Sequence, residues 1–79
     1  MDIQSAIIMG TNILKDKYIQ SAQLDTEILM AKALNKDRKY IILNNNQNLK
    51  KENLEYFEKL ISARATRKPI AHLINKKFF

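Results

Sequence analysis

Residues 51–67 read KENLEYFEKLISARATR, and this stretch decides the fold class. Its apolar side chains recur every three or four positions, which places them on one face of an α-helix. Pro69 disfavours helical backbone at the residue before it, so this long helix is predicted to stop at about Arg67. The same proline can open a short fifth helix over 69–73. The residues predicted to face the core are Leu54, Phe57, Leu60, Ile61 and Ala65.

The rest of the chain shows the same helical spacing, with one glycine and one proline in 79 residues. Three upstream helices are predicted over about 3–17, 22–34 and 38–43, with Asp2, Ser21 and Asp37 as their N-caps. Asn35 is suited to close the second helix in the left-handed conformation, and the asparagine-rich residues 44–48 are predicted to form a loop. The fold class is therefore predicted to be all-α, a small bundle of four to five helices.

The predicted buried faces complete this description of the bundle. Gly10 lowers helix propensity, which favours a close contact with another helix at that point. Asp25 and Glu27 are predicted to be solvated, and because they lie two residues apart on a helix they point about 200° away from each other and cannot act as a carboxylate pair. The predicted inward residues are Ile3, Ala6, Ile7, Ile13 and Leu14 in the first helix and Leu24, Ile28, Ala31 and Leu34 in the second.

Composition limits the chemistry available to the chain. It has no cysteine and one histidine, so neither a disulfide framework nor an ordinary zinc site is expected. The N-terminus has Asp2 where a secretory signal would carry positive charge, and no apolar run approaches the ~20 residues of a membrane span. The expectation is a single cytoplasmic domain without a membrane partner.

The formal net charge is +6 and the pI is about 9.7, which suggests an anionic partner such as RNA, a ribosome or an acidic protein face. The competing explanation is compositional drift, since lysine, isoleucine and asparagine, all encoded by A- and T-rich codons, are abundant; arginine, the better ligand for phosphate, occurs only three times. The lone histidine, His72, has no well-placed acid, so a structural or interdomain hydrogen bond is favoured over catalysis. Tyr18, Tyr40 and Tyr56 are predicted to pack in or beside the core rather than to stack on bases.

Two segments carry a resemblance to a known family. They are LDTEIL at 24–29, and Arg64-Ala65 followed by PIAHL at 69–73 with Phe79 six residues on. Together they resemble the N-terminal domain of the HemK/PrmC family, the protein-(glutamine-N5) methyltransferases specific for peptide chain release factors. The resemblance covers about residues 23–79. The chain departs from the family pattern at Arg67-Lys68, where the family commonly has Gly-Glu, and at Asn75, where glycine is common.

The resemblance implies a parent enzyme that transfers a methyl group from S-adenosylmethionine to the glutamine of the Gly-Gly-Gln motif in class 1 release factors. Residues 1–73 would form its substrate-recognition domain, 74–79 would begin the interdomain linker, and the catalytic Rossmann-type domain would lie outside this chain. No catalytic, cofactor-binding or metal residue is expected here. The residues predicted to contact the release factor or the enzyme's own catalytic domain are Arg64, Arg67, Lys68, His72, Phe78 and Phe79.

A second hypothesis treats the chain as an independent basic helical module that binds RNA or the ribosome. The second and third predicted helices permit a helix-turn-helix interpretation, but the turn at Asn35-Lys36 lacks the glycine often found there. Arg38 and Lys39 would be the only basic readers on the third helix. Nucleic-acid binding is therefore the less favoured alternative.

Overall fold

A computed structural model describes residues 1–75 of the chain and shows five helices. Within these residues there is no β-strand, only an isolated antiparallel bridge between Asp2 and Asn48, so the predicted all-α bundle is confirmed. The helices are α1 (Ile3–Asp16), α2 (Ala22–Leu34), α3 (Arg38–Leu43), α4 (Lys51–Ala65) and α5 (Ile70–Asn75). No described helix is both long enough and apolar enough to cross a bilayer.

Two of the predicted N-caps make the hydrogen bond that defines a cap. Backbone N–H groups at the start of α1 and α3 donate to Asp2 and Asp37 at 2.8 Å, from Ser5 and Tyr40 respectively. The donation from Ser5 holds the pKa of the Asp2 carboxyl below its ordinary value of 3.8. Ser21 precedes α2 as predicted but makes no cap bond with its side chain.

Three helices end with a residue in the left-handed conformation. The φ angles are 60° at Tyr18, 57° at Asn35 and 73° at Arg67. In each case the next residue's N–H reaches back to a carbonyl five positions earlier, which is the Schellman closure. Asn35 was predicted in this role. Helix α4 ends at Ala65 rather than at about Arg67 because this closure stops the helix before Pro69 can.

The core lies where α1, α2 and α4 meet. Gly10 is buried at the crossing, and a Cβ added there would lie 2.9 Å from Thr26 Cγ2 and 3.0 Å from both Ile61 Cδ1 and Phe57 Cζ. The predicted close contact at this glycine is therefore confirmed. The largest fully buried side chains are Phe57, Ile3, Leu14, Leu29, Met30, Ile41 and Thr26.

The inward face of α2 was predicted only in part, since Ala31 is buried and Leu34 packs against the core as predicted, but Leu24 does not. Leu24 is 45% exposed, whereas its neighbours Asp25 and Thr26 are buried. Apolar residues occur on every side of this helix, so periodicity gave no unique face, and the helix is rotated so that Asp25 reaches α4. Ile13 on α1, also predicted inward, is 38% exposed.

Candidate functional site

The residues predicted to contact a partner converge on the corner between α4 and α5. Arg64 lies in the last turn of α4, Arg67 and Lys68 form the turn, and His72 lies on α5. Phe78 and Phe79 lie outside the described residues. Helix α5 includes residues 74 and 75, and the boundary at 73 between domain and linker stays a prediction.

Arg64 is used inside the domain. Its Nε donates to Asp25 Oδ2 at 2.9 Å, and the two side chains are only 17% and 5% exposed. The same Asp25 oxygen accepts from Ser21 Oγ at 2.9 Å. Asp25 was predicted to be solvated, and that prediction was wrong because its partner lies 39 residues away on another helix. The Arg64 Nη1 also donates to the Lys68 carbonyl at 3.1 Å, which ties α2 to the α4–α5 corner.

Arg67 also bonds within the domain. It occupies the left-handed position at the end of α4, and its Nη2 donates to the Lys17 carbonyl at 2.7 Å. That carbonyl belongs to the C-cap residue of α1, whose last carbonyls lack helical partners. Arg67 stands at a position where the family that this chain resembles commonly has glycine, which adopts a positive φ more easily. The arginine side chain instead links α1 to the α4–α5 corner.

A groove of about 320 Å³ lies beside this corner, between α4 and α5. Its apolar part is formed by Leu60, Ala63 and Leu73, of which the two leucines are 7% and 5% exposed. The residues at its rim are Tyr56, Lys59, Lys68 and His72, and no carboxylate from residues 1–75 lines it. Neither lysine forms an ion pair within residues 1–75.

Lys68 and His72 were predicted as contact residues, and the structure brings both to the groove. Tyr56 and Lys59 also line the groove, although Tyr56 was predicted only to pack in or beside the core and no contact was predicted for Lys59. The available signal was the spacing of residues 56, 59, 60 and 63, which puts two polar and two apolar side chains on one stripe of α4.

The remaining tyrosines and acids occupy different surfaces. Tyr18 was predicted to pack in or beside the core but is 86% exposed, because its left-handed backbone directs it away from the bundle. Tyr40 is half-buried, with the Lys36 ammonium 5.1 Å from its ring centre. Glu27 accepts from Arg38 at 2.9 Å and its side chain is only 14% exposed, so it is paired and less solvated than predicted.

The described residues show neither a cluster of metal-ligating side chains nor a glycine-rich loop. No group of three His, Cys, Asp or Glu side chains in residues 1–75 is placed to hold a metal ion. Gly10 is the single glycine, and it lies in helix packing rather than in a loop that could cradle a cofactor. What the geometry offers is a preformed groove with a basic rim.

Comparison with known proteins identifies the family. The model of the PrmC N-terminal domain matches residues 5–74. The chain belongs to this family. A release factor glutamine methyltransferase of Clostridium botulinum is 33% identical over 79 residues, which is all of this chain and 28% of that relative. A bifunctional methyltransferase of Rickettsia felis is 38% identical over 77 residues, 98% of this chain and 15% of the relative.

A bifunctional methyltransferase of Rickettsia conorii is 31% identical over 77 residues, again covering 15% of the relative. The chain thus spans between 15% and 28% of the length of these three relatives. No solved structure matches it. The region that contains this fold and the α4–α5 groove therefore corresponds to a minor part of each relative's length.

Proposed function

We propose that this chain is the N-terminal substrate-recognition domain of an S-adenosylmethionine-dependent methyltransferase. The enzyme methylates the side-chain nitrogen of the glutamine in the Gly-Gly-Gln motif of class 1 release factors. The observation that supports this most directly is the family match over residues 5–74, together with full-length alignment of the chain to a protein named release factor glutamine methyltransferase. We place this activity in translation termination in the cytoplasm.

The residues of this chain bind and orient the substrate. Asp25, Arg64 and Arg67 lock α1, α2 and α4 to the α4–α5 corner, which makes the domain a rigid tether for the release factor. Holding a second site on the same substrate raises the local concentration of the reactive loop at the catalytic domain, and effective concentrations can reach the millimolar range. A contact far from the reacting atoms thereby increases kcat/KM.

S-adenosylmethionine supplies the methyl group when it is bound to the enzyme. The residues described here offer no glycine-rich loop for that cofactor, because the single glycine, Gly10, is packed within a helix. We therefore assign its binding, and the positioning of the glutamine, to the catalytic domain. We also propose this catalytic domain as an intramolecular partner of the helical domain.

The way in which the arginines are bonded argues against the RNA-binding alternative. All three donate to acceptors inside the domain: Arg38 to Glu27, Arg64 to Asp25 and Arg67 to the Lys17 carbonyl. Guanidinium groups are the better forks for phosphate, so their internal use leaves only lysines for such a surface. RNA binding with a steep salt dependence would support the alternative.

The test is kinetic. Removing residues 1–75 from the methyltransferase should lower kcat/KM for the intact release factor at least about tenfold, corresponding to about 1.4 kcal/mol of lost binding. The kcat/KM for a short Gly-Gly-Gln peptide should not change, and S-adenosylmethionine affinity should be preserved. An unchanged kcat/KM for the intact release factor would reject the recognition role.

A further inference from the structure

We propose that the α4–α5 groove is the docking site for an acidic segment of the release factor that also inserts one apolar side chain. This inference rests on the proposed function and adds a location and a ligand chemistry to it. The groove combines an apolar floor with a basic rim, and each part selects one feature of the bound segment.

The size and lining of the groove favour a side chain over a cofactor. Its volume of about 320 Å³ is at the lower end of the roughly 300–1,000 Å³ typical of small-molecule pockets. Leu60 and Leu73, which are 7% and 5% exposed, form its apolar lining together with Ala63. An aliphatic or aromatic side chain placed there would lose its own water contact without leaving a polar group unpaired.

The charges at the rim define the rest of the segment. Lys59 and Lys68 flank the floor without ion-pair partners in the described chain, and His72 adds a ring that can hydrogen bond. Beyond Lys59, Glu55 and Glu58 line the next surface of α4. An acidic segment is attracted to the lysines of the groove and repelled by Glu55 and Glu58. The charge pattern therefore places the segment on the α5 side of Lys59.

The rim is held in place before any partner binds. The Lys68 carbonyl accepts from Arg64 at 3.1 Å, and the adjacent Arg67 is tied to the Lys17 carbonyl at 2.7 Å. Both bonds fix the turn that carries Lys68 and leads into α5. A preorganised groove reduces the entropy that is lost on binding, so a small contact can contribute usefully to affinity.

The experiment is an NMR titration of the 79-residue chain with a purified class 1 release factor at low and moderate salt. The double variant Lys59→Glu/Lys68→Glu should weaken binding at least about tenfold at low salt and less as salt rises. Ala63→Leu, which fills the groove without altering charge, should weaken it at least about fivefold at both salt concentrations. Thermal unfolding of each variant checks that the bundle is intact.

The matched control is Lys39→Glu/Lys50→Glu, which makes the same change in net charge at exposed positions away from the groove. It should weaken binding less than about threefold. If the groove variants bind as the control does, the groove assignment is wrong while the recognition role stands. If the unaltered chain does not bind the release factor, or binds only RNA, the recognition role and the groove are both rejected.

Discussion

Replacing Arg64 by alanine tests the internal connection on which the α4–α5 corner depends. The change removes the 2.9 Å ion pair to Asp25 and the 3.1 Å hydrogen bond to the Lys68 carbonyl at once. Asp25, whose side chain is 5% exposed, would keep only the hydroxyl of Ser21 as a donor among the bonds described. The variant should therefore be clearly less stable than the unaltered chain.

The magnitude follows from the burial of the pair. Removing one partner of a fully buried ion pair costs about 3–5 kcal/mol, because the other charge is left uncompensated. The Arg64 side chain is 17% exposed and Ser21 still serves Asp25, so we expect about 2–3 kcal/mol. A domain of this size has roughly 4–12 kcal/mol in total, and the melting temperature should fall by roughly 10–20 °C.

The assay is urea unfolding followed by circular dichroism, with Arg38→Ala as the matched control. Arg38 also pairs with a carboxylate at 2.9 Å, that of Glu27, but this pair is more exposed, at 48% and 14%, and Glu27 keeps the Gln23 amide at 3.4 Å, so its loss should cost less, about 1 kcal/mol. The double variant Asp25→Ala/Arg64→Ala should cost less than the sum of the two single changes by at least about 1 kcal/mol. Equal costs for Arg64→Ala and Arg38→Ala would contradict a stabilising role for the buried Asp25–Arg64 pair.

Three further predictions concern single positions, each measured by the same unfolding experiment. Gly10→Ala should lower stability by about 1 kcal/mol despite alanine's better helix propensity, because its Cβ would meet Thr26 Cγ2 at 2.9 Å; a stability gain would contradict the packing described. Tyr18→Gly should raise stability by about 1 kcal/mol by relieving the left-handed backbone at an 86% exposed residue, whereas Tyr18→Ala should not. The lowered pKa of Asp2 means that its stabilising cap is complete above pH 3.8 and is lost as the pH falls through the lower folded-state pKa. Asp2→Asn should reduce the fall in the free energy of unfolding at acid pH. An unchanged dependence of that free energy on pH would exclude the Asp2 cap as its source.

Local signals in the sequence predicted the helix positions well. Asp2, Asp37 and Asn35 act through hydrogen bonds within a few residues of themselves, so their roles can be inferred without tertiary structure. The same holds for the long apolar stripe of α4, where Phe57, Leu60 and Ile61 are buried as predicted.

The inaccurate predictions depend on distant contacts. The inward face of α2 is set by Asp25 reaching Arg64, 39 residues away, and nothing within α2 indicates that partner. The end of α4 is set by Arg67, a residue type that rarely adopts a positive φ and here gains a bond to Lys17. Only Lys68 and His72 of the groove were predicted as contact residues. Lys59 was not, because it comes to lie near Lys68 only through the packing of α5 on α4.

We propose that this bundle binds the release factor without contribution from the catalytic domain. The most direct measurement adds the 79-residue chain in excess to the methyltransferase and follows methylation of the intact release factor and of a short Gly-Gly-Gln peptide. The free chain should raise KM for the intact release factor, leave kcat unchanged and have no effect on the peptide. An unchanged KM for the intact release factor, or equal inhibition of both substrates, would contradict the claim.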